Sequence, residues 1–144
     1  MEEHVYNLQA RVVRPMFAGV KRHDMEEFEV TTSSDWWPDA PKGYHTPHEM
    51  LLSASASCLL VMMFRSSAAL HTQFKDATVD ATGTMGEHEG IWSYDTIQLK
   101  VRVVIEDESY RSKVEKAVDM AHKTCPVANS LRTPVIVETE IVVG

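Results

Sequence analysis

The sequence predicts an α+β fold on three observations. Segments of β type come in consecutive runs, two helical stretches interrupt them, and one of those helices is apolar on every side. Consecutive strands favour antiparallel sheets, packed around the long apolar helix. The 144 residues, 44% hydrophobic and 24% charged, are material for a single domain over residues 1–144 with its own core, because no repeat, low-complexity tract or Pro/Gly/Ser linker divides them. Fourteen Lys and Arg against 21 Asp and Glu leave a formal charge of −7. That is the wrong sign for a phosphate backbone or an anionic membrane surface, so neither nucleic acid nor a membrane is an expected partner. The start, Met-Glu-Glu-His, lacks a basic region followed by an apolar stretch, so the expected location is cytoplasmic. Two cysteines in such a chain are packing groups or chemistry, not a secreted disulfide framework.

Taken in order, Val5 to Val13 and Glu27 to Thr32 are rich in β-branched residues and read as strands. Gly19-Val-Lys-Arg-His-Asp24 falls between them as a loop. A second loop, Ser34 to Gly43, carries Trp36 and Trp37, which could cover a pocket or pack on a dimer surface. Thr46-Pro-His-Glu49 has the capping-box pattern with Pro at the first helical position, and the helix it opens runs to about Leu70. From Met50 to Phe64 this helix has no charge over 15 residues, short of the roughly 20 that span a bilayer. A helix apolar all round is buried all round. One small chain cannot easily surround it, so a homodimer with this helix in the interface is expected; the alternative is that its serine face is wet.

Ala77 to Thr84 is the next strand. Gly83 to Gly90, containing Glu87-His88-Glu89, reads as an exposed turn. From Asp95 onward Ile97, Leu99, Val101 and Val103 alternate with Gln98, Lys100 and Arg102, giving one apolar and one wet face. Val114, Ala117, Val118 and Ala121 fall at helical spacing within Ser109 to Lys123, an amphipathic surface helix. Val135 to Val143 is a final β-branched strand.

The two cysteines sit in different settings. Cys58 lies inside the apolar helix, where a thiol is either an inert small hydrophobe or a nucleophile. Cys125 precedes Pro126 at a second helix start, where unpaired backbone N–H groups lower a thiol pKa, with His122 and Arg132 nearby in sequence. No histidine stands at a metal spacing from either cysteine, so no metal site is expected.

Thr46-Pro-His-Glu-Met-Leu-Leu-Ser-Ala-Ser-Ala-Ser-Cys58 resembles the cysteine helix of the OsmC/Ohr family, and Cys125-Pro-Val-Ala-Asn-Ser-Leu131 resembles its second-cysteine motif. The resemblance covers essentially the whole chain. It implies an intertwined α+β homodimer that reduces organic hydroperoxides, with Cys58 as the peroxidatic cysteine, Cys125 as the resolving cysteine and a disulfide between them. An external dithiol, of lipoyl type among others, would reopen that disulfide, with no bound cofactor. Leu59, Met62 and Met63 would suit a fatty or aromatic hydroperoxide, or are plain core.

The resemblance also implies an Arg that stabilises the Cys58 thiolate, assigned to Arg22 with Arg14 and Lys21 open, and a supporting Glu. Its position holds His48, and Glu49 lies one residue on. On a continuous helix both are roughly 14 Å or more from Cys58 along the axis, so either would reach a site only through a bend or from a second subunit. Glu49 could equally cap the helix with Thr46. Arg65 is read as a solvent-reaching end of the apolar run. The alternative functions are a small-molecule-binding or redox-sensing protein with little peroxidase activity, and a thiol hydrolase or transferase with His48 or His122 as base.

Overall fold

The computed structural model describes residues 2–144. Among them the order is β1 (Gln9–Arg14), β2 (Phe17–Lys21), β3 (Phe28–Val30), α1 (Pro47–Ala69), β4 (Asp76–His88), β5 (Ile91–Ile105), α2 (Arg111–Thr124), α3 (Pro126–Asn129) and β6 (Val135–Val143). The fold is α+β, with two three-stranded sheets. The chain divides into two compact units, one ending at Leu51 and the other running from Leu52 to Gly144.

In the first unit β1, β2 and β3 form an antiparallel meander. β2 occupies residues that the sequence pattern assigns to a connection and part of a loop. Its Phe-Ala-Gly-Val-Lys run has too little alternation to announce a strand. The sheet is stitched at its surface: Arg11 donates to Glu27 at 2.8 and 2.7 Å, and Arg14 to Glu29 at 2.7 and 3.0 Å. Gly19, opposite Arg11, leaves room for the Glu27 carboxylate, which a Cβ there would meet at 2.6 Å. Exposed pairs of this kind contribute little stability each. The apolar centre of this unit is Phe17, edge-on to Trp37 at 6.1 Å and to Tyr44 at 5.1 Å. Thr31 N–H donates to the His45 carbonyl at 3.0 Å and ties the tryptophan loop back to β3.

The second unit holds the main core. β4 and β5 pair antiparallel from Asp76↔Val104 to His88↔Ile91. Glu89 and Gly90, with φ of 53° and 81°, make the tight two-residue turn that matches strand twist. The exposed turn expected over Gly83–Gly90 is therefore only its last two residues, and the rest is strand. β6 runs parallel to β5, from Ile97↔Val135 to Ile105↔Val143. This corrects the expectation of antiparallel sheets throughout: α2 carries the chain back across the sheet, and a crossover of that length returns a strand in the same direction. Ile97, Leu99, Val101, Val103 and Ile105 are buried and pack with Leu59 and Met63 of α1 and with Val114, Val118 and Ala121 of α2.

α1 opens on the capping box. Glu49 N–H donates to Thr46 Oγ1 at 3.3 Å and Thr46 Oγ1 donates to Glu49 Oε1 at 2.9 Å. Its buried residues are Ser55, Leu59, Met63, Ser66 and Ser67, which form one stripe. Val61 and Phe64 are 61% and 65% exposed. In the single chain the expected burial on all sides is met on that stripe alone. By length and composition α1 would suffice to cross a membrane, with 28% of its most apolar stretch buried.

Candidate active site

α2 ends at Thr124 and α3 begins at Pro126, so Cys125 is the junction. It has an extended conformation, φ −65° and ψ 112°, and Pro at the first helical position fixes the restart. Its side chain is 1% exposed. Cys58, half-buried on α1, lies near enough that the Cys125 thiol and the Val127 N–H both act on its pKa. Both cysteines are free thiols.

The donor at the start of α3 thus serves Cys58. The sequence suggests that these N–H groups act on Cys125, but the Cys125 thiol makes no capping hydrogen bond. Val127 escapes sequence reading because its backbone does the work. The available signal is Pro126, which places the Val127 N–H among those left unpaired by the helix.

Burial pushes the Cys58 thiol pKa up, the Cys125 thiol adds to the rise, and the Val127 N–H pulls it down, with the net shift upward. Among the described residues none of the groups that move this pKa is a cation. These surroundings favour the Cys58 thiol over its thiolate, and a thiolate at Cys58 needs a positive charge that these neighbours do not supply.

The remaining candidates lie as follows. Arg22, past the end of β2, donates to Asp24 at 2.6 and 2.9 Å. Arg14 stacks 3.7 Å from the centre of the Phe17 ring while paired with Glu29. Lys21 ends β2 and is exposed. The His48 ring lies 5.7 Å from that of Trp36, and Glu49 is in the helix cap. Arg65 is exposed. The His122 carbonyl accepts from the Cys125 N–H at 3.4 Å. Leu59 and Met63 are each 1% exposed and belong to the core, and Met62 packs partly buried against it. His88 pairs with Asp95 at 2.6 Å. Among the described residues no three His, Cys, Asp or Glu side chains gather as a metal site would require. In the first unit an apolar cleft of about 330 Å³ opens between Val12, Met16, Phe17, Val30 and Pro47.

Residues 40–140 match the family of OsmC-like proteins, and the chain belongs to that family. An OsmC-like protein of unknown function from Vibrio cholerae has a similar structure, with a TM-score of 0.82 and 22% identity, covering 99% of this chain and 100% of that one. An organic hydroperoxide resistance protein from Elizabethkingia anophelis gives a TM-score of 0.76 at 17% identity, covering 99% and 100%. At these identities the likeness is one of fold. The uncharacterized protein YmaD of Bacillus subtilis is 26% identical over 92 residues. That match takes in 64% of this chain, which spans about three fifths of the relative's length, 59%.

Proposed function

We propose that the chain is a thiol peroxidase that reduces organic hydroperoxides to alcohols. The observation that carries this reading is a pair of free cysteines, Cys58 and Cys125, near enough for one thiol to act on the other. In the first step the Cys58 thiolate attacks the O–O bond; with one proton taken up, an alcohol leaves and Cys58 becomes a sulfenic acid. The Cys125 thiol then displaces water from that sulfenic acid and the Cys58–Cys125 disulfide forms. An external dithiol of the lipoyl type reduces the disulfide through a mixed disulfide and is itself oxidised. The two sulfurs carry both electrons, so the cycle as written draws on no bound cofactor or metal.

The working unit is a cytoplasmic homodimer, because the exposed face of α1 and the missing cation both call for a second copy. Ser53, Ser57 and Arg65 interrupt that exposed face, which suits a protein partner better than lipid. Of the two candidate arginines, Arg22 is the more available, since its partner Asp24 is itself half-exposed at the surface, whereas Arg14 is engaged by both Glu29 and Phe17. Because α1 is continuous from Pro47 to Ala69, His48 or Glu49 would support the site only from the second copy.

Stopped-flow oxidation with cumene hydroperoxide, with dihydrolipoamide as reductant, tests the reading. Turnover should vanish in Cys58→Ser, and Cys125→Ser should leave a sulfenic acid at Cys58 that dimedone captures. A wild-type rate no faster than that of free cysteine would sink the peroxidase. One observation favours a second reading, an apolar-ligand-binding protein: the cleft beside Phe17. Fatty-acid binding retained in the protein lacking both cysteines, together with no peroxidase turnover in the wild type, would select it.

A further inference from the structure

The turn that carries Cys125 is fastened by one side chain. Asn129 Nδ2 donates to the Lys123 carbonyl at 3.0 Å and to the Cys125 carbonyl at 2.9 Å. Its backbone N–H donates to the same Cys125 carbonyl at 3.0 Å. Lys123 is in the last turn of α2, where carbonyls lack partners within the helix. A single amide group therefore bridges the end of one helix and the start of the next, with Cys125 between. The other backbone tie at this point, from the Cys125 N–H to the His122 carbonyl, is long at 3.4 Å. Ser130 Oγ, by comparison, donates to Pro126 at 2.7 Å within the next turn and bridges nothing across Cys125. Asn129 is exposed, so its role is not one of core packing.

We propose that Asn129 is a positioning residue for the Cys58–Cys125 disulfide: its amide holds the turn so that the Cys125 thiol stays against Cys58. The inference rests on the resolving step of the peroxidase cycle. Closing a disulfide between a thiol on a fixed turn and a thiol on a long helix sacrifices little conformational freedom. When the bridge is removed the turn gains alternatives in the dithiol form, and closure becomes less favourable.

The test is a redox titration of the full chain against the dithiothreitol couple. Oxidised dithiothreitol accepts two electrons and two protons from Cys58 and Cys125 as their disulfide forms. Asn129→Ala, and Asn129→Asp as the variant of unchanged shape, should each lower the equilibrium constant for disulfide formation about tenfold, close to 30 mV for this two-electron couple. Ser130→Ala should stay within about twofold of wild type, a margin below the effect of one side-chain hydrogen bond. A merely structural role would lower the melting temperatures of the reduced and oxidised proteins alike and leave the potential unchanged, which overturns the inference. A fall in Ser130→Ala equal to that in Asn129→Ala also overturns it. If the wild-type chain forms no Cys58–Cys125 disulfide, the resolving step itself fails and the inference with it; if the disulfide forms and Asn129→Ala matches wild type, the inference alone fails.

Discussion

Cys58 is a thiol whose own surroundings on balance favour the protonated form. Burial acts first, and the neighbouring Cys125 thiol acts in the same direction. In the isolated dithiol the reactive thiolate is therefore scarce at neutral pH and increases as pH rises. Deleting one raising group should move the midpoint down: in Cys125→Ala, iodoacetamide should alkylate Cys58 with a midpoint at lower pH and several-fold faster at pH 7 than in wild type. A midpoint that stays or rises would show that the Cys125 thiol does not govern its neighbour. Gly83 makes a different kind of demand. A Cβ there would collide with the Tyr94 ring and meet Leu52 at 2.8 Å, so this strand position must be bare for Tyr94 to pack against the core. Gly83→Ala should cost about 1–3 kcal/mol in urea unfolding, and much less when Tyr94 is also alanine. An equal cost in both backgrounds would exclude the collision as the cause.

Elements differ in how much of them the sequence exposes. β5 was legible because Ile97, Leu99, Val101 and Val103 alternate with polar residues, and all four are buried, with Ile105 continuing the row. The α1 start was legible because Thr46, Pro47 and Glu49 have a local job that depends on no distant partner. Thr46→Ala should accordingly cost about 1 kcal/mol, read as a lower denaturation midpoint at unchanged slope; no change would mean that the cap is dispensable. β2 was hidden because its glycine and short length suppress the strand signal, while the feature that needs Gly19 bare, the Arg11–Glu27 pair, joins residues 16 apart. The direction of β6 was hidden too, since a β-branched run does not say which way it pairs. At the candidate site, the restart at Pro126 could be read locally, but the meeting of Cys58 and Cys125 could not be read from composition or spacing. The bridge made by Asn129 could not be read from the sequence, because the carbonyls it joins are backbone atoms.

At the scale of the whole molecule, the largest unexplained feature is an apolar helix covered along one stripe. Val61 and Phe64 stand more than half exposed on α1, and patches of this kind mark contact surfaces more often than idle ones. A second copy would bury the face by two-fold symmetry, the commonest form of self-association. A second copy is also the place to look for the cation that the neighbours of Cys58 do not supply. The two consequences are linked, and one substitution tests both. Val61→Glu places a charge at an exposed position, where the cost to the fold of one chain is small, within about 0.5 kcal/mol, but the cost of burial against a partner is large. Light scattering should then report a dimer for wild type and a monomer for Val61→Glu. The monomer should retain the wild-type far-ultraviolet circular dichroism while its Cys58 alkylates with a midpoint at higher pH, for want of the partner's cation. A wild-type chain that scatters as a monomer would remove the dimer. A monomeric Val61→Glu with an unmoved Cys58 midpoint would keep the dimer and place the source of the thiolate within a single chain.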